Sequence, residues 1–192
     1  MSSVRGPDDV ELHASPADRV CALVRLIGEA EVARWCGELL GEQVPYDADE
    51  RPSSTWLGGA HAVNELERGD IELRGQAYWF RTWAARGLLY AWTPEVAPEV
   101  CSGLGDAAWR VREMCAKVAR LRELGEAAPL LAGLVDDSVP RVRAAAAAAL
   151  AVTAEADEVP ALRRATDDPE ASVRSAAQRA LERVAVRLDR PL

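Results

Sequence analysis

Asp106, Asp137 and Asp168 stand 31 residues apart, and each is followed five positions later by a Val-Arg pair: Val111-Arg112, Val142-Arg143 and Val173-Arg174. Proline keeps the same step at Pro98, Pro129 and Pro160. A fixed period of this length marks a chain built from one supersecondary unit used several times, because one unit alone cannot bury its apolar face and must stack on its neighbours. One step earlier the pair becomes Phe80-Arg81, while Gly75 stands at the Asp position and Glu67 at the Pro position. A degraded unit therefore precedes three regular ones.

Within each unit the apolar residues follow a helical period. Phe80, Ala84, Gly87 and Leu88 recur as Val111, Cys115, Val118 and Ala119, then as Val142, Ala146, Ala149 and Leu150, then as Val173, Ala177, Ala180 and Leu181. The spacing i, i+4, i+7, i+8 is one stripe of an α-helix. Shorter helices near 94–104, 125–135 and 156–166 supply Val100, Leu131 and Leu162. Each unit reads as a helix pair, and the pairs as a short superhelix. The six consecutive alanines Ala144–Ala149 then have a reason. Ala146 and Ala149 fall in core columns where small side chains let helices approach, and the other four occupy the remaining faces with the highest helix propensity.

Upstream, SPADRVCALVRLIGEAEVARWCGELLGE reads as two more helices, with Ser15 or Asp18 near the first N-terminus and Pro45 after the last. Residues 43–55 read as a loop. The expected organisation is a poorly ordered N-terminus over 1–15, an N-terminal helical cap and loop over 16–55, and a repeat solenoid over 56–192.

The 192 residues carry a net charge of −8, unevenly spread. Residues 1–105 hold 9 Arg/Lys against 17 Asp/Glu, whereas residues 106–192 hold 14 of each. An acidic whole argues against general nucleic-acid binding, whose affinity comes mainly from neutralised phosphates. No stretch approaches the roughly 20 apolar residues that span a bilayer, and the polar start has no apolar h-region, so a cytoplasmic protein away from membranes is expected. Cys21, Cys36, Cys101 and Cys115 are scattered without a C-x-x-C pair and read as free buried thiols.

The unit Pro…Asp-x-x-x-x-Val-Arg-x-x-Ala-Ala, as in DDSVPRVRAAAAAALA and DDPEASVRSAAQRALERVA, closely resembles HEAT repeats, specifically the short bacterial repeats of the phycobilisome-lyase type. The likeness covers 94–187 well and 58–93 weakly. It implies an all-α fold, a right-handed α-α superhelix of HEAT type behind an N-terminal helical cap. It implies little about activity, because such repeats serve in scaffolds, lyase subunits, hydroxylases and DNA glycosylases.

The recurring residues Asp106, Asp137, Asp168, Arg112, Arg143 and Arg174 are expected to form a structural ladder, each Asp capping a helix start and each Arg pairing with the Asp of an adjacent unit. Active sites break symmetry, and these positions keep it. Histidine is confined to His13 and His61. A metal-dependent hydroxylase of the HEAT type would need paired His-Glu motifs, and none is present. His61 reads as a satisfied, partly buried residue. No nucleophile elbow, P-loop, dinucleotide fingerprint or Cys/His couple occurs, and Asp136/Asp137 and Asp167/Asp168 read as turn residues. No catalytic residue, metal or cofactor is assigned.

Aromatic and basic residues are the candidates for binding. Five of the six tryptophans lie from Trp56 to Trp109. Trp83 and Trp92 are expected to seal the join between the N-terminal helices and the repeats, while Trp79 and Trp109 are divided between sealing and recognition. Arg110 and Arg141 form one aligned column, and Arg86, Lys117, Ala148 and Arg179 another. Arg179, Arg183, Arg187 and Arg190 follow one face of the last helix, where a solvated cap suited to the helix dipole is expected.

The resulting expectation is a non-catalytic scaffold or adaptor that binds a protein partner, with an acidic segment, on its concave face. Trp79, Trp109, Arg110, Arg141, Lys117 and Arg179 are expected to share one surface. The alternatives are a nucleic-acid-binding protein related to HEAT-like DNA glycosylases and a bilin-lyase-like accessory protein.

Overall fold

The computed structural model describes residues 6–189. Among them are twelve α-helices, three short 3-10 helices and no strand. They fall into two compact units, Met1–Val100 and Cys101–Leu192.

The first unit begins with α1 (Asp9–His13), α2 (Pro16–Ile27) and α3 (Glu29–Leu40). Residues 1–15 were expected to be poorly ordered, yet their described part contains α1 with a reciprocal cap. Asp8 Oδ1 accepts the Glu11 N–H at 2.8 Å, and Glu11 Oε2 accepts the Asp8 N–H at 3.1 Å. Ser15 is the N-cap of α2, accepting the Asp18 N–H, and Pro16 takes the first helical position, where its missing donor costs nothing. After the loop come α4 (Thr55–Gly58), α5 (Ala60–Arg68) and α6 (Tyr78–Gly87). α3 packs on α6 closely enough that a Cβ at Gly87 would lie 2.7 Å from Cys36 Sγ. That approach explains a glycine within an apolar stripe.

Two arginines hold the carbonyl end of α4. Arg19 Nε donates to the Trp56 carbonyl at 3.2 Å and its Nη2 to the Leu57 carbonyl at 3.3 Å, while Arg86 Nη2 reaches the Leu57 carbonyl at 2.7 Å. Arg19 Nη1 also donates to the carbonyls of Leu12 and Ala14. Orphan carbonyls at a buried helix end need such donors. Burial lowers the pKa of both guanidinium groups, and in Arg86 the neighbouring Arg19 charge lowers it further. Arg86 is thus an internal structural residue, not a member of an exposed basic column.

In α7 (Ala97–Gly103), α8 (Trp109–Leu121), α9 (Ala128–Leu134), α10 (Pro140–Thr153), α11 (Val159–Ala165) and α12 (Ala171–Arg187), the sequence period becomes a structural one. The long helices start at Tyr78, Trp109, Pro140 and Ala171, each 31 residues after the last. The 3-10 turns before the short helices start at Pro94, Gly125 and Ala156 with the same step. In the second unit α10 packs between α8 and α12, and α9 and α11 pair with α10 and α12 as a second layer. Val111, Val142 and Val173 are equivalent and fully buried, as are Cys115, Ala146 and Ala177.

Burial of the alanine run extends further than the repeat stripe. Ala147 is as buried as Ala146 and Ala149, because α10 is covered on both sides. Its equivalents are the buried Ala116 on α8 and the exposed Gln178 on α12. A helix between two close neighbours needs small residues on both flanks.

Successive units are joined by bidentate ion pairs. Arg112 Nε and Nη2 donate to Asp137 Oδ2 and Oδ1 at 2.7 and 3.0 Å, and Arg143 makes the same pair with Asp168 at 2.6 and 2.9 Å. Each of these arginines also donates through Nη1 to the carbonyl six residues before it, Asp106 at 2.8 Å and Asp137 at 2.9 Å. Asp106, Asp137 and Asp168 accept the N–H two residues on, at 2.7 to 2.8 Å. The donors are the N-cap residues themselves, so each Asp fixes the turn leading into the helix and, contrary to the expectation, does not cap the helix start.

Burial alone would raise the Asp137 carboxyl, but the Arg112 hydrogen bonds, the Val139 N–H and the Arg112 and Arg143 charges outweigh it and hold the group below the usual carboxylate range. Asp168 is lowered chiefly by its Arg143 hydrogen bond.

The pair's side chains are only 12% and 7% exposed, so removing one partner leaves a shielded charge without its counter-ion. Arg143→Ala should cost about 2–4 kcal/mol in a denaturant titration; unchanged stability would contradict a structural role. A lowered folded-state pKa contributes stability above the unfolded value near about pH 4, which is lost as the pH falls through the folded value. Acid unfolding followed by circular dichroism should therefore show this loss below about pH 4, with a shallower dependence in Arg143→Ala. Ala147→Leu should destabilise by about 1–3 kcal/mol through overpacking, whereas Gln178→Leu at the exposed equivalent should stay within about 0.5 kcal/mol.

Candidate functional site

The start of α8 carries a compact cluster of aromatic and charged side chains. The Arg110 guanidinium lies 4.3 Å from the centre of the Trp109 ring, and that of Arg141, from α10, lies 5.4 Å from it. Arg141 also donates to Glu113 Oε1 through Nε at 3.3 Å and Nη2 at 3.2 Å, and Lys117 Nζ sits 2.8 Å from the same oxygen. Glu113 is buried beneath these cations.

The column cations Arg141 and Lys117 are not free surface charges: they share one carboxylate. Alignment by repeat hides the partner because positions equivalent to Glu113 are Ala144 and Ser175. The i, i+4 spacing of Glu113 and Lys117 was the clue available.

Arg179 occupies a different part of the second unit. It lines a shallow pocket of about 160 Å³ with Arg120 and Arg183, over a floor that includes Ala148, Ala151 and Ala176. Arg110, Glu113, Lys117 and Arg120 follow at i, i+3, i+7 and i+10, one stripe of α8. Arg187 is drawn away from the expected arginine face: it donates to the carbonyls of Ala151, at 3.2 Å, and Ala154, satisfying the C-terminal end of α10. Arg190 lies outside the described residues.

Trp79 belongs to the first unit, whereas Trp109, Arg110, Lys117, Arg141 and Arg179 belong to the second. Its ring lies 4.9 Å from His61, 5.2 Å from Tyr78 and 5.9 Å from Trp83, and its indole N–H donates to Gln76 Oε1 at 3.1 Å. Trp83 is buried under this cluster, while Trp79 and Trp92 are half-buried. His61 Nε2 stands 3.7 Å from Glu65 Oε1.

The first unit also holds a larger cavity, about 370 Å³, lined by Glu42, Tyr46, Asp47, Glu72, Phe80 and Arg81 among others. Tyr46 stacks on Phe80 at 4.2 Å, and Arg81 pairs with Glu42 at 2.7 Å. Sequence reading left this wall as an unassigned loop, since residues 43–55 have no periodicity to follow.

All four cysteines are free, but only Cys36 and Cys115 are buried, while Cys21 is exposed and Cys101 half-buried. The expectation of four buried thiols therefore holds for two. Burial pushes Cys36 up to about 12 and raises Cys115 as well, so neither supplies thiolate near neutral pH. Among the described residues no group of three or more His, Cys, Asp or Glu is placed to hold a metal ion, and no helix is long and apolar enough to cross a membrane.

A structure of human deoxyhypusine hydroxylase in complex with glycerol is similar to this chain, with a TM-score of 0.52 and 22% sequence identity over 92% of this chain and 72% of that one. At that identity the likeness describes the fold. Comparison with curated protein sequences gives no match. The family model for HEAT repeats matches residues 71–151 and 97–182. The helix pairs, their inter-unit Arg–Asp bonds and this match over more than half of the sequence agree: the chain belongs to the HEAT-repeat family.

Proposed function

We propose that the chain is a non-catalytic adaptor whose second-unit face, carried by α8, α10 and α12, binds a protein partner through an acidic segment. The observation that carries this reading is the Trp109 ring with the Arg110 and Arg141 guanidinium groups over it and the buried Glu113 paired with Arg141. The cluster joins α8 to α10 through Arg141 and Glu113, but no equivalent of it recurs between α10 and α12. Core columns are filled by valine, cysteine and alanine, and the units are tied together by the Arg–Asp pairs. Tryptophan and arginine are also the residue types that dominate interface energies. Glu113 fixes Arg141 and Lys117 in place, which lowers the ordering cost of binding.

Three cations, Arg110, Lys117 and Arg141, stand against one carboxylate, Glu113, in the cluster, and this ratio favours an acidic segment. Arg179 extends the proposed face toward α12, and Trp79, with Tyr78 and His61, offers a separate aromatic contact on the first unit.

Affinity capture from the native cell extract with wild-type protein, followed by titration of the purified partner, tests the reading. Arg110→Gln combined with Arg141→Gln removes both cations without placing a carboxylate against Glu113. Partner affinity should fall by about tenfold or more with the helical fold retained, because Lys117 still neutralises the buried Glu113. Equal affinity in the variant would overturn the reading, as would salt-dependent retention of a DNA duplex in place of a protein.

A further inference from the structure

Six of the twelve described arginines of the second unit are committed to internal partners. Arg112 and Arg143 hold Asp137 and Asp168, Arg141 holds Glu113, Arg164 holds Asp136, and Arg174 and Arg187 donate to backbone carbonyls. Arg120, Arg179 and Arg183 differ. They come from two helices, α8 and α12, to line one pocket, and among the described residues none of the three has a carboxylate or carbonyl partner. No acidic side chain lines the pocket. Three like charges brought to one concavity without a counter-ion repel one another, and an anion bound between them removes that cost.

The floor of this pocket gives Ala148 a role that packing does not. Ala148 is not fully buried, so close helix approach does not require it to be small. Its equivalents are Lys117 on α8 and Arg179 on α12, and the equivalents of Ala151 are Arg120 and Glu182. On α10 alone both positions shrink to a methyl group. The result is an open seat between two cationic helices.

We propose that the pocket of Arg120, Arg179 and Arg183 binds a phosphate monoester, carried on a phosphorylated side chain of the partner polypeptide; the polypeptide part of this inference rests on the adaptor reading above.

Charge and size decide for phosphate over carboxylate. A phosphorylated side chain brings about −1.5 to −2 charges and three acceptor oxygens, against one charge and two oxygens for Glu. Guanidinium groups bind such an anion through paired N–H donors. A pocket of about 160 Å³ is large enough to admit a phosphate group. It has no aromatic wall on which a nucleobase would stack.

Position decides for a polypeptide. Arg120 lies ten residues after Arg110 on the same stripe of α8, about 15 Å along the helix. An extended peptide covers that distance in about four or five residues, so one segment can reach both the Trp109 cluster and the pocket.

Calorimetric titration at low ionic strength with inorganic phosphate, an octapeptide carrying one phosphoserine, and the same peptide with Ser or Glu at that position provides the test, with a DNA octanucleotide as competitor. The phosphoserine peptide should bind about tenfold or more tightly than the Glu peptide. Arg179→Ala with Arg183→Ala should abolish that preference, and so should Ala148→Glu, which supplies a counter-ion within the seat, each with an unchanged melt. Arg110→Gln with Arg141→Gln should keep the preference for phosphoserine over Glu, so failure of the pocket and failure of the adaptor face are separately visible. Equal binding of the Glu and phosphoserine peptides, or no effect of the pocket variants, overturns the proposal. Inorganic phosphate binding as tightly as the phosphopeptide, or an octanucleotide that displaces it, overturns the polypeptide source.

Discussion

Order in the second unit depends on one bond made repeatedly: the fork of Arg112 on Asp137 and of Arg143 on Asp168. Each aspartate accepts two guanidinium N–H groups from the preceding unit and one backbone N–H from its own turn. Each arginine returns a further bond to the turn before its own helix. The turn geometry of one unit is therefore fixed by the helix of the previous one. Helix starts keep the 31-residue step as a consequence, and a buried charge pair that would be costly in isolation is satisfied by hydrogen bonds on every side.

Close stacking enforced by these bonds sets what α10 can contain. Ala146, Ala147 and Ala149 are small because α8 and α12 approach from both sides. Ala148 and Ala151 line the pocket that α8 and α12 ring with arginine. The same featureless run thus serves packing on some faces and leaves space on another. Trp109, Glu113, Arg120 and Arg183 have no counterpart in the other regular units, whereas the ladder residues Arg112, Arg143, Asp137 and Asp168 are consumed by the stack.

Much of this was legible in the residues. The step from Asp106 to Asp137 to Asp168 located the helix pairs and the equivalence of Val111, Val142 and Val173, and Ser15 marked the start of α2. What escaped reading escaped for physical reasons. Carbonyl acceptors leave no trace in sequence, so the holds of Arg19 and Arg86 on α4 and of Arg187 on α10 could not be seen, and Arg86 was aligned with surface cations. Glu113 occurs in one unit only, so a search by period passed over the carboxylate that pairs Arg141 and Lys117. The floor alanines looked like helix filler because an empty space is defined by what surrounds it.

On the proposed reading, binding belongs to the tryptophan and arginine side chains of α8, α10 and α12 that lie outside the Arg–Asp ladder. Nuclear magnetic resonance of the protein with labelled arginine Nε–H and tryptophan indole groups, recorded before and after addition of a captured acidic partner, tests it directly. Resonances of Trp109, Arg110, Arg141, Arg120, Arg179 and Arg183 should move, while those of the ladder residues Arg112 and Arg143 stay. Shifts confined to residues of the outer helices α9 and α11, or an unchanged Trp109 indole with the partner bound, would contradict the account.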